Sequence, residues 1–99
     1  MYKVILRQKA IDDLNAIWHY TYEKWSEKQA DFYYNNLKVA IQEIAKNSDT
    51  GKRYFEIIKG LYGLKSGKHI IFYQILSETE IEVIRILHER MDLENRLNE

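Results

Sequence analysis

Apolar positions along the chain follow two periodicities, which divide it into strands and helices. A run of strand-forming residues over 2–7 predicts a first strand. Over 9–25 and again over 27–46, apolar side chains recur at steps of three and four residues, the spacing of one face of an α-helix. Segments 61–66, 69–76 and 80–87 are rich in β-branched and aromatic residues, which predicts three consecutive strands.

Short connections determine how these elements fold back on one another. The segment Ser26-Glu27-Lys28-Gln29 predicts a capping box, in which the Ser26 hydroxyl accepts a hydrogen bond from the Gln29 amide and the Gln29 side chain bonds back. Because only one or two residues separate the helices, they form a hairpin. Residues 67–68 and 77–79 have the length of β-hairpin turns. Residues 51–60 predict an irregular connection with room for a short strand, and 88–97 predict a short polar helix.

The order β-α-α-β-β-β predicts an α+β fold with the helical hairpin packed on one face of an antiparallel sheet. Regular alternation divides the last strand between two faces, with Ile81, Val83, Arg85 and Leu87 on one and Glu82, Ile84, Ile86 and His88 on the other. Both faces carry apolar residues, yet only one lies under the helices. The second face therefore requires cover from elsewhere in the domain, such as a tail segment, or from another protein.

Composition narrows the class of protein. The 99 residues include 15 Lys and Arg, 15 Asp and Glu, and neither Cys nor Pro, so we expect one domain spanning 1–99 and held together by packing alone. Without cysteine a reducing compartment is allowed, and the cytoplasm is the expected location. No segment has the apolar length of a signal peptide core or a membrane span. Charge is uneven: residues 52–73 carry five cations against one anion, and 74–99 carry three against seven.

Sequence motifs exclude several kinds of chemistry. The chain lacks the motifs of nucleotide hydrolysis, metalloproteolysis and acyl transfer, and its four glycines form no phosphate-binding loop. The histidines at 19, 69 and 88 lie on separate elements without helical i, i+4 pairing. We therefore expect neither a metal nor another cofactor.

Basic and proton-transferring side chains are concentrated on the predicted hairpins. Arginine stabilises phosphate charge while His and Tyr transfer protons, so this set suits either metal-free RNA cleavage or the binding of an acidic partner. Spacing alone does not choose between these functions and an ordinary sheet edge. Arg85 stands in an apolar run, where it either faces an open surface or pairs with a carboxylate. The set consists of Lys65, Lys68, His69, Tyr73, Arg85, His88 and Arg90.

Two segments resemble a known family. Residues 67–73 (Gly-Lys-His-Ile-Ile-Phe-Tyr) and 81–92 (Ile-Glu-Val-Ile-Arg-Ile-Leu-His-Glu-Arg-Met-Asp) resemble the ParE branch of the RelE/ParE toxin superfamily. The likeness extends through the whole chain, and the Leu-His-x-Arg-x-Asp stretch at 87–92 is its most specific part. It implies a bacterial type II toxin of the kind found in plasmid stabilisation systems. It also implies a small antitoxin, ParD-like or similar, whose C-terminal segment wraps the toxin.

The resemblance leaves two targets open. ParE members inhibit DNA gyrase without catalysis, whereas the RelE branch cuts mRNA on the ribosome. The acidic segment 92–99 disfavours docking on ribosomal RNA, so gyrase is the expected target, contacted by Arg85, His88 and Arg90. Neither a membrane nor sequence-specific DNA binding is expected. In the ribonuclease alternative, the residues that bind phosphate or transfer protons are Lys65, Lys68, Tyr73, Arg85 and His88.

A third hypothesis is an antitoxin-binding homologue with little or no toxicity. Tyr62 and Gln74 stand where relatives commonly carry Arg, which removes positive charge from the candidate surface. For antitoxin contact we predict a groove on the helical hairpin, together with an exposed sheet edge. The residues predicted to line that groove are Trp18, Tyr22, Tyr33 and Leu37.

Overall fold

A computed structural model describes all residues from 1 to 99. The second helix has the predicted bounds, and the connection 51–60 does begin with a short strand. No helix combines the length and the apolar character that crossing a bilayer requires. In chain order the elements are β1 (Lys3–Leu6), α1 (Gln8–Lys24), α2 (Glu27–Lys46), β2 (Lys52–Arg53), β3 (Leu61–Ser66), β4 (His69–Ile75), β5 (Glu80–His88) and α3 (Leu93–Leu97).

The five strands form one sheet in the order β1-β5-β4-β3-β2. Strands β2 to β5 pair antiparallel, as the short turns between β3, β4 and β5 require. Strand β1 pairs with β5 in parallel, with Val4 opposite Ile81. The α+β fold is confirmed, but the sheet is mixed rather than antiparallel. A long crossover joins β1 to β5 and permits the parallel direction, and no short turn in the sequence fixes it.

The helical hairpin packs on one face of this sheet. The Ser26 hydroxyl accepts a hydrogen bond of 3.0 Å from the Gln29 amide at the start of α2. The Gln29 side chain does not bond back, so half of the predicted capping box is formed. Buried residues of both helices join buried residues of the sheet in one core. That core consists of Ala10, Leu14, Leu37, Ala40, Ile44, Ile71, Tyr73, Ile81, Val83 and Ile86.

A β-bulge in β5 overturns the regular alternation expected from the sequence. Tyr73 pairs with Val83, whereas the preceding residue Phe72 pairs with Arg85, so Ile84 has no partner. An extra residue shifts the side-chain alternation of every position after it. Ile86 therefore lies on the helical face, although the sequence placed it on the opposite one.

The second apolar face of the sheet is covered by the chain itself. Its buried cluster consists of Leu61, Ile70, Phe72, Ile84, Leu87 and Leu97. Partly buried side chains from the connection after β2 and from α3 pack against it. No second protein is needed to cover this face, which decides between the two possibilities left open by the sequence.

Candidate partner-binding site

A concave site lies where α1 passes over one end of the sheet. His69 at the start of β4 pairs directly with His88 at the end of β5, with ring centroids 5.2 Å apart. Beside the two rings is a cavity of about 450 Å³, large enough to hold one or two side chains of a partner. Its lining comes from α1 and from the ends of β4 and β5: Ala16, Ile17, Tyr20, His69, His88, Arg90 and Met91.

Tyr33 on α2 holds His69 in place. The Tyr33 hydroxyl lies 2.6 Å from His69 Nδ1, 3.4 Å from the Ser66 carbonyl, and accepts a hydrogen bond of 2.9 Å from the Lys68 amide. Burial raises the pKa of Tyr33, which keeps the hydroxyl protonated. We assign its hydrogen to the shorter contact, so His69 Nδ1 is an acceptor. Gly67 has a φ of +60°, and a Cβ there would lie 2.8 Å from the Tyr33 ring.

Both histidines line the site, and each uses its Nδ1 atom for a hydrogen bond within the chain. Burial, with a smaller effect from His88, lowers the pKa of His69 to about 4, so the ring is neutral near pH 7. His88 Nδ1 accepts a hydrogen bond of 3.1 Å from the Arg90 amide in the turn after β5. Because Nδ1 accepts a hydrogen bond in both rings, the ring hydrogen of each histidine is on Nε2. Neither Nε2 atom has a hydrogen-bond partner within the chain.

Stability is expected to fall between pH 6.5 and pH 4 because of His69. The unfolded chain binds a proton on this ring near its ordinary pKa of 6.5, whereas the folded chain resists protonation until about pH 4. The stabilisation is complete above pH 6.5 and is lost as the pH falls. After solvent screening of the partly exposed ring, we expect a loss of roughly 1–2 kcal/mol.

The measurement compares urea unfolding of the wild-type chain and His69→Gln at pH 7 and pH 4. Carboxylates that titrate over this range contribute equally to both proteins, so the difference between them isolates His69. Ring titration followed by NMR gives the pKa directly. An NMR pKa near 6.5, or the same pH dependence in both proteins, contradicts the prediction.

Arg85 is engaged inside the protein and is not presented to a partner. Its Nε and Nη2 atoms donate to the two carboxylate oxygens of Asp13 at 2.9 and 3.1 Å. Its Nη1 atom donates to the Arg96 carbonyl and to the Glu99 carboxylate. Arg85 is 9% exposed, and the hydrogen bond to Asp13 raises its pKa. Of the two possibilities for this residue, the carboxylate pair is the observed one, with a partner on α1.

The remaining ribonuclease candidates do not converge on one site. Tyr73 is fully buried, and its hydroxyl donates to the Ser48 carbonyl at 2.8 Å and accepts from the Gly51 amide at 3.0 Å. This corrects its expected role, since a buried and saturated hydroxyl is not available for proton transfer to a substrate. Lys65 forms an ion pair of 2.9 Å with Glu89, which lowers the pKa of that carboxyl. The Lys68 side chain forms no ion pair.

The helical groove predicted for the antitoxin is only partly present. The Trp18 and Tyr22 rings stack with centroids 5.3 Å apart, and Trp18 Nε1 donates to Asp31 at 2.9 Å. Leu37 is fully buried in the core, so it is not available to a partner, which corrects that prediction. Tyr33 is half-buried and serves His69. Trp18 and Tyr22 thus remain candidates, while Tyr33 belongs beside the cavity.

Sequence reasoning missed three contributors to the site. Asp13 was not assigned to Arg85, and Tyr33 was not linked to His69, because each pair joins elements far apart in the chain. The apolar wall formed by α1 was also missed. Ile17 and Tyr20 are three residues apart, which places them on one helical face, but nothing local indicates what lies opposite. No group of three or more His, Asp or Glu is placed to hold a metal ion.

Comparison with known proteins gives consistent results. The family model described as the ParE toxin of the type II toxin-antitoxin system, parDE, matches residues 4–93. Toxin ParE1 of Mycobacterium tuberculosis is 37% identical over 95 residues, covering 96% of this chain and 97% of that protein. Toxin ParE1 of Caulobacter vibrioides is 33% identical, covering 92% and 91% of the two chains. Toxin ParE of Escherichia coli is 32% identical, covering 94% and 90%.

A solved structure shares the fold. A chain of the chromosomal ParDE TA system from P. aeruginosa superposes with a TM-score of 0.77 at 17% identity, covering 89% of this chain and 96% of that one. Fold and relatives together define the chain as the toxin component of a type II toxin-antitoxin system. Within that class it belongs to the ParE toxin family. Membership of this class implies an antitoxin as partner.

Proposed function

We propose that this toxin inhibits DNA gyrase in the cytoplasm by binding it, and that a ParD-like antitoxin neutralises it. His88 and Arg90 contact the target. The observation that carries the proposal is that the Arg90 guanidinium is exposed, has no ion-pair partner and lines the same cavity as His88, whose Nε2 atom is free. Arg residues with free donors are frequent contributors to binding energy at protein interfaces. Arg85, an equal candidate from the sequence, is excluded by its bonds to Asp13.

The separation of the residues predicted for ribonuclease activity favours inhibition by binding over catalysis. General acid and base groups must lie within hydrogen-bonding distance of the atoms that exchange protons. Tyr73 is sealed in the core and Arg85 is bound to Asp13, while His88 stands at the cavity. Lys65 is neutralised by Glu89. Arg90, the one Lys or Arg side chain that lines the cavity, suits a protein contact better than a long nucleic acid backbone.

Supercoiling by purified gyrase, with the purified toxin titrated in, tests the proposal. We expect loss of supercoiling and accumulation of linear DNA, both reversed by the antitoxin. Arg90→Gln is expected to weaken inhibition about tenfold, which corresponds to about 1.4 kcal/mol of binding free energy. Arg53→Gln is the matched control, since Arg53 is exposed on the far edge strand β2 and should inhibit like wild type.

The other outcomes lead to different functions. Unchanged supercoiling at micromolar excess, together with growth arrest on expression, contradicts the gyrase target and makes ribosome-dependent mRNA cleavage the next assay. Unchanged supercoiling without growth arrest indicates an antitoxin-binding homologue without toxicity. The neutral side chains of Tyr62 and Gln74, where relatives commonly carry Arg, are consistent with that outcome. In the structure Tyr62 stacks on Tyr73 with centroids 5.5 Å apart, so it contributes to packing.

A further inference from the structure

The cavity beside α1 presents several hydrogen-bond donors and no carboxylate. The polar side chains that line it are His69, His88, Arg90 and Tyr20, and the Nε2 atoms of both histidines and the Arg90 guanidinium have no partner within the chain. None of the seven lining side chains is negatively charged. The nearest carboxylate in sequence, Glu89, is bound to Lys65 at 2.9 Å. A negatively charged acceptor that replaces water at these donors therefore comes from another molecule.

The apolar part of the cavity restricts what that acceptor can be. Ile17, Tyr20 and Met91 also line the cavity, and Tyr20 is 64% exposed while Met91 is 39% exposed. Exposed side chains of this kind are used where a partner adds an apolar group of its own. A ligand that fits both parts carries a negative charge and an apolar side chain next to it.

We propose that this cavity is an antitoxin-binding pocket that receives an Asp or Glu carboxylate together with a neighbouring apolar side chain of the antitoxin. The carboxylate accepts hydrogen bonds from the two Nε2 atoms and pairs with Arg90. The apolar side chain packs against Ile17 and Met91. This inference rests on the proposed neutralisation by an antitoxin. It adds the place on the toxin where a segment of the antitoxin binds and the chemistry of that contact.

A peptide fits this site better than a nucleic acid. Nucleic acid binding gains its affinity from several phosphates contacted along a basic surface. Here the basic segment 52–73 is largely engaged, since Lys52 lies over the Tyr54 ring, Arg53 over the Phe55 ring, and Lys65 is paired. One free cation, Arg90, and an apolar wall provide for one anion and one apolar group.

The position of the pocket explains how neutralisation would follow from binding. His88 and Arg90 are also the residues proposed to contact gyrase. An antitoxin carboxylate that occupies their donors competes directly with the target. The antitoxin then blocks the toxin by occupying its contact residues, and no change in the toxin fold is needed.

NMR titration of the isolated toxin tests the pocket chemistry. The probes are acetyl-Leu-Glu-amide, the neutral acetyl-Leu-Gln-amide and inorganic phosphate. We expect the acidic dipeptide to shift the ring signals of His69 and His88 and the methyl signal of Met91, and to bind about tenfold more tightly than the neutral one. Arg90→Gln should remove that difference, while Arg53→Gln should retain it. In the toxin-antitoxin complex the pocket is filled, so the acidic dipeptide should cause no shift.

Three results would overturn the inference. Equal affinity for the two dipeptides, or no shift with either, shows that the donors do not select a carboxylate. Phosphate binding that excludes the acidic dipeptide indicates a nucleic acid site. Shifts that persist in the toxin-antitoxin complex show that the antitoxin does not occupy the pocket. The titrations contain no gyrase, so a failure of gyrase inhibition and a failure of this inference are distinguishable.

Discussion

Replacing Asp13 by Ala is expected to lower the free energy of unfolding by about 3–5 kcal/mol, a large part of the stability of a small domain. The substitution removes the bidentate ion-pair partner of the buried Arg85 guanidinium and leaves it only the half-exposed carboxylate of Glu99. Two of the three Arg85 nitrogens that form hydrogen bonds donate to this carboxylate. A buried charge that loses its partner costs far more than the pair contributes.

Asp13 also accepts a backbone hydrogen bond from β5, at a point beyond the end of the neighbouring strand β1. Strand β1 accompanies β5 only as far as the Leu6 to Val83 pair. Beyond that point the Ile86 amide donates to the Asp13 carboxylate at 2.9 Å. The Asp13→Ala variant therefore also leaves a partly buried backbone N–H without an acceptor. About 1–3 kcal/mol of the expected loss of unfolding free energy comes from this N–H.

Urea unfolding of Asp13→Ala measures this effect, and the adjacent Asp12 provides the control. Asp12 is exposed, and its carboxylate accepts one hydrogen bond from Gln8 on the same helix. We expect Asp12→Ala to change the free energy of unfolding by less than about 0.5 kcal/mol. Equal losses of unfolding free energy in the two variants would contradict this prediction. They would show that the ion pair with Arg85 adds nothing to the effect of removing one negative charge from α1.

The same geometry affects how mutations in this family should be interpreted. Arg85 and Arg90 are five residues apart in one segment, and from the sequence both are predicted to contact the target. Arg85 joins the sheet, α1 and the C-terminal segment, whereas Arg90 is free. Loss of activity in an Arg85 variant would therefore reflect unfolding, whereas variants of His88 and Arg90 test the proposed target contact.

Local patterns predicted those parts of the fold that local physics determines. The three- and four-residue spacing located both long helices, because each must bury one continuous face. The Ser26 cap followed from the spacing of Ser26 and Gln29. Strands β3, β4 and β5 were identified by their β-branched and aromatic content, and their order followed from the short turns that join them.

Features that depend on distant pairing could not be predicted in this way. The bulge at Ile84 is visible only once β4 is placed beside β5, and it decides which face carries His88. The parallel direction of β1 depends on the path of the whole chain. The cavity required His69, His88 and α1 to be placed together, so the sequence named three of its polar residues, His69, His88 and Arg90, but not the pocket.

Replacing Leu97 by Ala is expected to lower the free energy of unfolding by about 2–5 kcal/mol, since it opens the second core. Leu97 is 8% exposed and packs with Phe72, Ile84 and Leu87 on the face away from the helical hairpin. Helix α3 has only five residues, too few to be stable by itself, so its position depends on this packing. Losing it would also release the Arg96 carbonyl and the Glu99 carboxylate from Arg85.

Urea unfolding and amide hydrogen exchange together test this dependence. In Leu97→Ala the amides of α3 should exchange faster than the rest of the chain, because the segment opens locally before global unfolding. Leu76→Ala is the control, since Leu76 is 52% exposed at the turn after β4 and should cost less than about 0.5 kcal/mol. If Leu97→Ala were as stable as the control, the second face would need other cover, and a partner protein would again be the candidate to supply it.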